Sequence, residues 1–517
     1  MYVPKGCGAT DRFLLYPETS CMLNKRYSKQ PFLGRLPVLA LLLCLLPGAA
    51  FGQTVSQPPD QPKPAPGIGA SVQDNPAPVE PAAPTEPKKP ITKAQAKELF
   101  RSVDEILDFV SHDTGLPIRH KVKRKLITRE QVERYVAKNL ANDKDAKRLE
   151  REQLVLEKFG MIPRGYDLHG EYLRLLGEQV AAYYDSRTKT VNLLDWVQPE
   201  LQRPVLAHEL THALQDQAIG LTKWLRAGGR DGRPLPDQQE QVVEEAQAAR
   251  ENVTEGQAML AMLDYTLAPA GLDVLKAPDI VDAMRASMTT GTDLPVMAAA
   301  PIYLRESLYM PYTFGLDFER ELLKKRSTQG AYAGALEHPP ADTLQVMRPE
   351  TYLDNQTVQP LTILDLDRLI APEYERYDFG GIGAFDVYLM SRQYDPQGDA
   401  NRFYPHWRGG YYLAVHPKSA PKNEVALIFL SRWESPDAAK AFAHFYSAYV
   451  PTRYELKDAG MVGSVDSGDQ TITWDVGHQG KVVIQVHEND VLVLESLDQA
   501  ARVRISSSLL PDLQSAR

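Results

Sequence analysis

The sequence predicts an α+β protein, in which a helical core with a small β-hairpin is followed by a smaller α+β domain. Apolar residues recur at helical spacing in 204–215, which predicts a helix, and a long helix is predicted from about 237 to 267. Just before them, 179–185 and 190–194 alternate apolar and polar residues around a turn, which predicts the hairpin. From about residue 380 short apolar strands prevail, and they are interrupted by helical segments.

Residues 1–52 have the features of a secretory signal peptide. Basic residues precede an apolar run from Leu36 to Leu46, and small residues precede a candidate cleavage site before Gln53. Counting from Met22 gives a signal of ordinary length, so we expect Met22 to be the initiator. The run is too short for a comfortable membrane span, although an uncleaved anchor is the alternative. We therefore expect export to the periplasm or the extracellular space, without stable membrane insertion after cleavage.

Residues 53–90 contain eleven prolines among Ala, Gln and Glu, so they bury too little apolar surface to fold. This composition predicts a disordered linker. The three cysteines of the chain all precede Gln53, so the exported protein would have no disulfide. The formal net charge of −9 at pH 7 lacks the basic excess of nucleic-acid-binding proteins. We therefore expect no nucleic-acid partner.

The folded part of the chain is predicted to have three sections. Residues 91–160 are predicted to be helical, and we interpret their basic run, 119–125, as a solvated face. This section is either part of the core or a propeptide. Residues 161–379 carry the candidate site, and 380–517 form the α+β C-terminal domain. The sequence gives no indication of the oligomeric state.

The candidate site begins with His208-Glu209-Leu210-Thr211-His212, in a helix whose first turn is predicted to hold Pro204. Histidines four residues apart stand on one helical face, within reach of a single ion. Neutral imidazole nitrogens suit zinc, and Glu209 is placed to act on a water at the metal. A polar stripe on a core helix gives the same pattern, so the prediction needs a third ligand.

The predicted helix 237–267 offers that third ligand as a carboxylate. Glu244, Glu251 and Glu255 fall on one face of this helix. Small and apolar residues surround Glu255, which is what a buried ligand needs. We interpret Glu244 and Glu245 as solvated, so Glu251 and Glu255 are left as the candidates.

The motif at 208–212, followed by Thr254-Glu255-Gly256-Gln257-Ala258, resembles the gluzincin branch of zinc metallopeptidases. It is most similar to little-characterised bacterial secreted families whose second helix contains Glu-Gly-x-Ala. The resemblance implies a zincin-like catalytic domain over 161–379. It also implies Zn²⁺ as the cofactor, a peptide or protein as the substrate, and attack by a zinc-bound water.

The resemblance also implies a role for each residue of the site. His208, His212 and Glu255 would hold the zinc, and Glu209 would be the general base. In the thermolysin-like pattern Glu251 would be the ligand and Glu255 its orienting carboxylate, but the Glu-Gly-x-Ala pattern favours Glu255.

Two later blocks, 309–315 and 337–343, are similar to blocks of the same families. They imply that Tyr312 or His338 donates to the oxyanion, although packing is the alternative for both residues. Three other hypotheses remain open for the whole protein: a catalytically inactive zinc-binding scaffold, a surface-binding module, and a hydrolase of a cell-wall amide. The hairpin either pairs with an extended peptide or packs only on its own core.

Overall fold

The computed structural model describes residues 90–132, 134, 143–179, 182–229, 235–290, 295–371, 373–419, 424–456 and 470–510. The predicted signal peptide and the predicted linker up to residue 89 lie outside these ranges. So do residue 133 and residues 135–142 of the section that we predicted to be helical. Within the described ranges the chain is a mixed α and β protein, which confirms the predicted α+β class. No helix found there is long and apolar enough to cross a membrane.

Helices make up most of the first three quarters of the described chain. They are α1 (Lys93–Thr114), α2 (Asp143–Phe159), α3 (Leu168–Gln179), α4 (Pro199–Ile219), α5 (Leu221–Trp224), α6 (Asp237–Leu267), α7 (Pro278–Thr290), α8 (Pro295–Ala299), α9 (Ile302–Met310), α10 (Leu316–Lys325), α11 (Thr328–Glu337), α12 (Thr343–Met347), α13 (Pro349–Leu353), α14 (Leu366–Ile370), α15 (Ala384–Tyr394), α16 (Pro436–Arg453) and α17 (Gln499–Leu509). A π-helical turn, Pro311–Gly315, joins α9 to α10.

The strands form two sheets. They are β1 (Lys123–Ile127), β2 (Ala182–Asp185), β3 (Thr190–Leu194), β4 (Tyr374–Gly381), β5 (Trp407–Pro417), β6 (Ala426–Trp433), β7 (Gln470–Asp475), β8 (Lys481–His487) and β9 (Asp490–Glu495). The small sheet has the order β1-β3-β2, and the large antiparallel sheet has the order β4-β5-β6-β9-β8-β7. The predicted hairpin is therefore confirmed as β2 and β3.

The small sheet contains a strand that the sequence reasoning missed. β1 pairs in parallel with β3, with Lys123 opposite Thr190 and Ile127 opposite Leu194. The interpretation of the basic run as only a solvated face is therefore incomplete. The exposed and partly buried residues of β1 alternate, as in a strand that covers a core on one side only.

The motif helix α4 begins earlier than predicted. Pro199 stands in its first turn, whereas Pro204 lies inside the helix and is buried. Proline lacks an N–H group, so Pro204 gives up one helical hydrogen bond within the second turn. The helix ends at Gly220, whose φ of 69° is the left-handed conformation of a helix C-cap.

The hydrophobic cores do not follow the predicted section boundaries. The apolar face of α1, including Leu99, Val103 and Val110, packs in one core with α4 and α6. α2 belongs instead to the core of the large sheet, where Phe159 contacts Phe429 edge-to-face. Residues 91–160 are thus divided between two cores. The predicted boundary at 379/380 falls inside β4.

The interpretation of Glu244 and Glu245 as solvated is wrong. Glu244 is 4% exposed, and its Oε2 accepts a hydrogen bond from the Gly381 N–H at 2.6 Å. The Glu245 Oε2 accepts from the N–H and the hydroxyl of Thr343 at 3.0 and 2.7 Å. The physical reason is that α6 packs on α4 along one side and on β4 and α12 along the other. Periodicity identifies helix faces, but it does not tell which of them other elements cover.

Candidate metal centre

The motif helix α4 is buried on all sides in its central part, which places the motif in the interior. His208 and Glu209 are fully buried and His212 is 3% exposed. Leu206, Leu210 and other apolar residues of the same helix are also inaccessible. A helix that is covered on every face needs partners for its polar side chains, because an unpaired buried polar group is costly.

The three predicted ligands meet at one point. The Nε2 atoms of His208 and His212 are 3.0 Å apart. The Glu255 carboxylate lies 3.1 Å from the His208 Nε2 and 3.4 Å from the His212 Nε2. Zinc with bonds of about 2.0–2.1 Å in a tetrahedral site holds its ligand atoms roughly 3.3–3.4 Å apart. These three side chains therefore form a buried group that could bind a metal ion, as predicted.

Glu255, and not Glu251, is the carboxylate of this group. Glu255 is 2% exposed, whereas Glu251 is partly exposed one helical turn earlier and lines an adjacent cavity. Glu255 is thus the glutamate that lies with His208 and His212, and its role as the third metal ligand stays a prediction.

Gly256, which follows Glu255, permits a close helix crossing. A Cβ at Gly256 would lie 2.2 Å from the carbonyl oxygen of Gly315, and a Cβ at Gly315 would lie 2.4 Å from that of Asn252. The two glycines thus let the π-helical turn Pro311–Gly315 approach the backbone of α6. This turn carries Tyr312, so the contact fixes Tyr312 relative to Glu255.

A chain of amides orients His212, and the sequence reasoning missed it. The His212 Nδ1–H donates to the Gln215 Oε1 at 2.9 Å, which leaves Nε2 to face the other two ligands. The Gln215 Nε2 donates to the carbonyl of Thr254 and to the Gln257 Oε1, both at 3.0 Å. Gln215 lies three residues after His212, on the same helical face, so its spacing was the signal in the sequence.

Glu209 has one fixed and one free carboxylate oxygen. Its Oε2 accepts a hydrogen bond from the Tyr184 N–H of β2 at 2.6 Å. Its Oε1 is buried and has no hydrogen-bond partner among the described residues. Burial raises the pKa of Glu209 to about 8, although the nearby His212 opposes the shift. A carboxylate with this environment is suited to exchange a proton.

The protonation of the other group members also fits metal binding. Burial lowers the pKa of His208 to about 4, so its imidazole is neutral at pH 7. Burial alone would raise the pKa of Glu255, but the neighbouring His212 and His208 hold it below its usual range. Burial opposes the charge on His212, but Glu255 raises the pKa of His212 to about 9. A neutral imidazole and an ionised carboxylate are the forms that ligate metals, and His212 would release a proton on binding.

Tyr312 reaches this group, whereas His338 does not. The Tyr312 ring centroid is 6.3 Å from that of His208. Burial, with Glu255 and Glu209 nearby, raises the pKa of Tyr312 well above its usual value, so its hydroxyl stays protonated. His338 is exposed at the end of α11, and its carbonyl accepts from the Tyr352 hydroxyl at 2.6 Å. None of the described contacts of His338 joins it to the ligands.

Comparison of the chain with protein-family models, curated proteins and solved structures returned no match. The inference of function therefore rests on the residues of the site and on their geometry.

Proposed function

We propose that the protein is an exported zinc metallopeptidase with a zincin-like catalytic core. The observation that carries the proposal is the geometry of the buried group, with two imidazole Nε2 atoms and a carboxylate 3.0–3.4 Å apart. The buried, unpartnered Oε1 of Glu209 on the same helix adds the proton acceptor that a hydrolase needs. A plain binding scaffold would not require such a group.

The residues of the chain divide the chemistry between them. Zinc held by His208, His212 and Glu255 would act as a Lewis acid toward a water and a peptide carbonyl. Glu209 takes the proton of the attacking water at its free Oε1 and delivers it to the leaving nitrogen. The hydrogen bond from the Tyr184 N–H to the Glu209 Oε2 holds the carboxylate in place, so the orientation of Oε1 is fixed as well. The protonated Tyr312 hydroxyl can donate to the developing oxyanion.

The small sheet supports a peptide as the substrate. Within the described residues β2 is an edge strand, since the sheet order is β1-β3-β2. The Tyr184 N–H of β2 reaches Glu209, so this edge lies directly beside the proposed base. An extended peptide pairing with such an edge would bring a backbone carbonyl to the site.

The test is metal content and cleavage measured on the same sample of protein 53–517. We expect bound zinc and cleavage of casein or a mixed peptide library, both removed by a chelator. Glu209→Gln should keep zinc and lose at least about a hundredfold in kcat/KM, the usual contribution of a general base. His212→Ala should lose zinc and activity.

His444→Ala is the matched control, because His444 is an exposed histidine of the C-terminal helix α16. It should change neither zinc content nor activity. Full activity in Glu209→Gln would contradict the assignment of the base. Zinc binding without cleavage of peptides would favour the inactive scaffold or the surface-binding module, and release of products from peptidoglycan alone would favour a cell-wall amide.

A further inference from the structure

The hydrogen bonds that start at His212 continue beyond Gln257 to two later helices. The Gln257 Nε2 donates to the carbonyl oxygen of Tyr332 at 2.9 Å and to the Glu319 Oε1 at 3.3 Å. Tyr332 belongs to α11 and Glu319 to α10, so the chain of amides runs from α4 through α6 to both of them. The side chains of Gln215, Gln257 and Glu319 are all fully buried.

The direction of the hydrogen bonds in this chain is set by backbone carbonyls. A carbonyl oxygen only accepts, so the amide nitrogen of Gln257 must face Tyr332, which leaves its Oε1 to face Gln215. In the same way the Gln215 nitrogen faces the carbonyl of Thr254, and its Oε1 faces the His212 Nδ1–H. Rotating either amide by half a turn would bring two acceptor oxygens together. The chain therefore holds one orientation of the His212 ring.

Glu319 accepts the last hydrogen that this chain offers. An amide nitrogen carries two hydrogens, and in Gln257 one is directed to Tyr332 and the other to Glu319. Without the Glu319 oxygen, a buried N–H of Gln257 would lose its acceptor, and a single carbonyl would hold this end of the amide. Glu319 thus completes the bonding of the amide that orients Gln215.

The close helix crossing at Gly256 brings Gln257 and Glu319 together. Gln257 directly follows Gly256 in α6, and Glu319 stands one turn after Gly315 in α10. The two glycines let the backbones approach, as a Cβ on either would overlap the carbonyl oxygen across the crossing. The bond between Gln257 and Glu319 therefore belongs to the same crossing that places Tyr312 beside the metal group.

Glu319 is a costly side chain to bury. Its Oε2 has no hydrogen-bond partner among the described residues. Burial raises the pKa of Glu319 well above its usual value, although the hydrogen bond from Gln257 and the charge of Arg326 oppose the shift, so the carboxyl is neutral. An apolar side chain would avoid the cost of a buried, incompletely bonded carboxyl. The contact with Gln257 is thus the one that gives this carboxyl a role.

We propose that Glu319 is a positioning residue of the metal centre and fixes the orientation of His212 through the two glutamine amides. Its described hydrogen bond ends at Gln257, so it acts on the ligand only through the chain. The inference rests on metal binding by the candidate metal centre, which is part of the proposed function, and not on the cleavage of peptides.

The first test is the zinc Kd of variants of protein 53–517, measured by competition with a chromophoric chelator. Glu319→Met keeps an unbranched side chain but removes the acceptor, so the zinc Kd should rise about threefold or more, less than for a direct partner of a ligand. Glu319→Gln should stay within about twofold of the wild type, because an amide oxygen accepts as the neutral carboxyl does. Glu321→Met is the control, since Glu321 lies on the same helix but pairs with Lys324 and is partly exposed. It should leave the zinc Kd unchanged.

The second test asks whether Glu319 acts through the amides. In the Gln215→Leu background the chain is already broken, so Glu319→Met should cause no further rise in zinc Kd. With cobalt(II) in place of zinc, the visible absorption bands should change in Glu319→Met and return to the wild-type bands in Glu319→Gln. Gln257→Met removes the middle link and should raise the zinc Kd at least as much as Glu319→Met, so it tests the chain even if Glu319→Met does not fold.

The outcomes separate this proposal from the proposed function. An unchanged zinc Kd in folded Glu319→Met, or an equal rise in the wild-type and Gln215→Leu backgrounds, would overturn the positioning role and leave the metallopeptidase standing. The expected changes in zinc Kd without cleavage of any peptide would support the positioning role and overturn the peptidase. A wild-type protein that binds no zinc would overturn both.

Discussion

Replacing Gln215 with leucine tests whether the amide chain builds the metal centre. Leucine has a similar volume but cannot accept the hydrogen bond of the His212 Nδ1–H, which is 2.9 Å long in the native site. The substitution also removes the donor to the carbonyl of Thr254 and to Gln257. The His212 ring then loses the group that fixes its orientation, although all three ligands remain.

The expected loss in zinc affinity is about ten- to hundredfold, which is the usual cost of removing a partner that orients a ligand. The variant also leaves the buried His212 Nδ1–H and Gln257 Oε1 without the partner that Gln215 supplies, whereas the Thr254 carbonyl lies inside helix α6. The free energy of unfolding should fall by about 1–3 kcal/mol for each of these two groups. The two effects are separable, because zinc Kd is measured on the folded protein by competition with a chromophoric chelator. Urea denaturation with the metal removed gives the stability.

Gln217→Leu is the control for this experiment. Gln217 is on the same helix, but its side chain accepts from the backbone N–H groups of Arg119 and His120 instead of a ligand. This variant should lose stability without losing zinc affinity. A folded Gln215→Leu protein whose zinc Kd stays within threefold of the wild type would refute the orienting role of Gln215.

Two further predictions concern packing and pH. In Gly256→Ala the new methyl group would lie 2.2 Å from the backbone oxygen of Gly315. The free energy of unfolding, measured by urea denaturation, should therefore fall by about 1–3 kcal/mol or more. An unchanged free energy of unfolding would contradict the close crossing of α6 and the π-helical turn. Burial, with Asp264 and Asp273 adding to it, raises the pKa of Asp113 to about 7 from an ordinary value of 3.8, so the folded protein keeps a proton that the unfolded chain releases. This contribution to stability is present below pH 4 and is lost as the pH rises toward 7. Asp113→Asn should therefore raise Tm relative to the wild type at pH 8 but not at pH 4. An equal Tm difference between variant and wild type at the two pH values would contradict the raised pKa of Asp113.

Local patterns in the sequence were sufficient to predict the elements that carry His208, His212 and Glu255. The helix predicted over 237–267 is confirmed as α6, and the hairpin of β2 and β3 follows from the alternation of apolar and polar residues. Glu255 follows from its small and apolar surroundings together with the resemblance. β1 could not be found in this way, because parallel pairing with β3 joins segments more than sixty residues apart and its own residues are mostly basic.

The burial of some side chains depends on long-range packing, which the sequence reasoning did not predict. Glu244 and Glu245 have the spacing of a solvated face, but β4 and α12 cover them. His338 was expected near the site from its sequence block, but it lies exposed at the end of α11. For the two glutamates the residue type and its spacing were clear, whereas the covering neighbours came from a distant part of the chain.

Helix α6 packs on α4 at the candidate metal site and on β4 of the large sheet, so it links the two parts of the chain. Glu255 faces the metal group, and Glu251 lines the cavity one turn earlier. Two turns further toward the N-terminus, Glu244 receives the Gly381 N–H at the end of β4. Asp386 of α15 completes the opposite wall. Because β4 and α15 supply part of the lining of this cavity, the C-terminal section packs directly against the helix that carries Glu255.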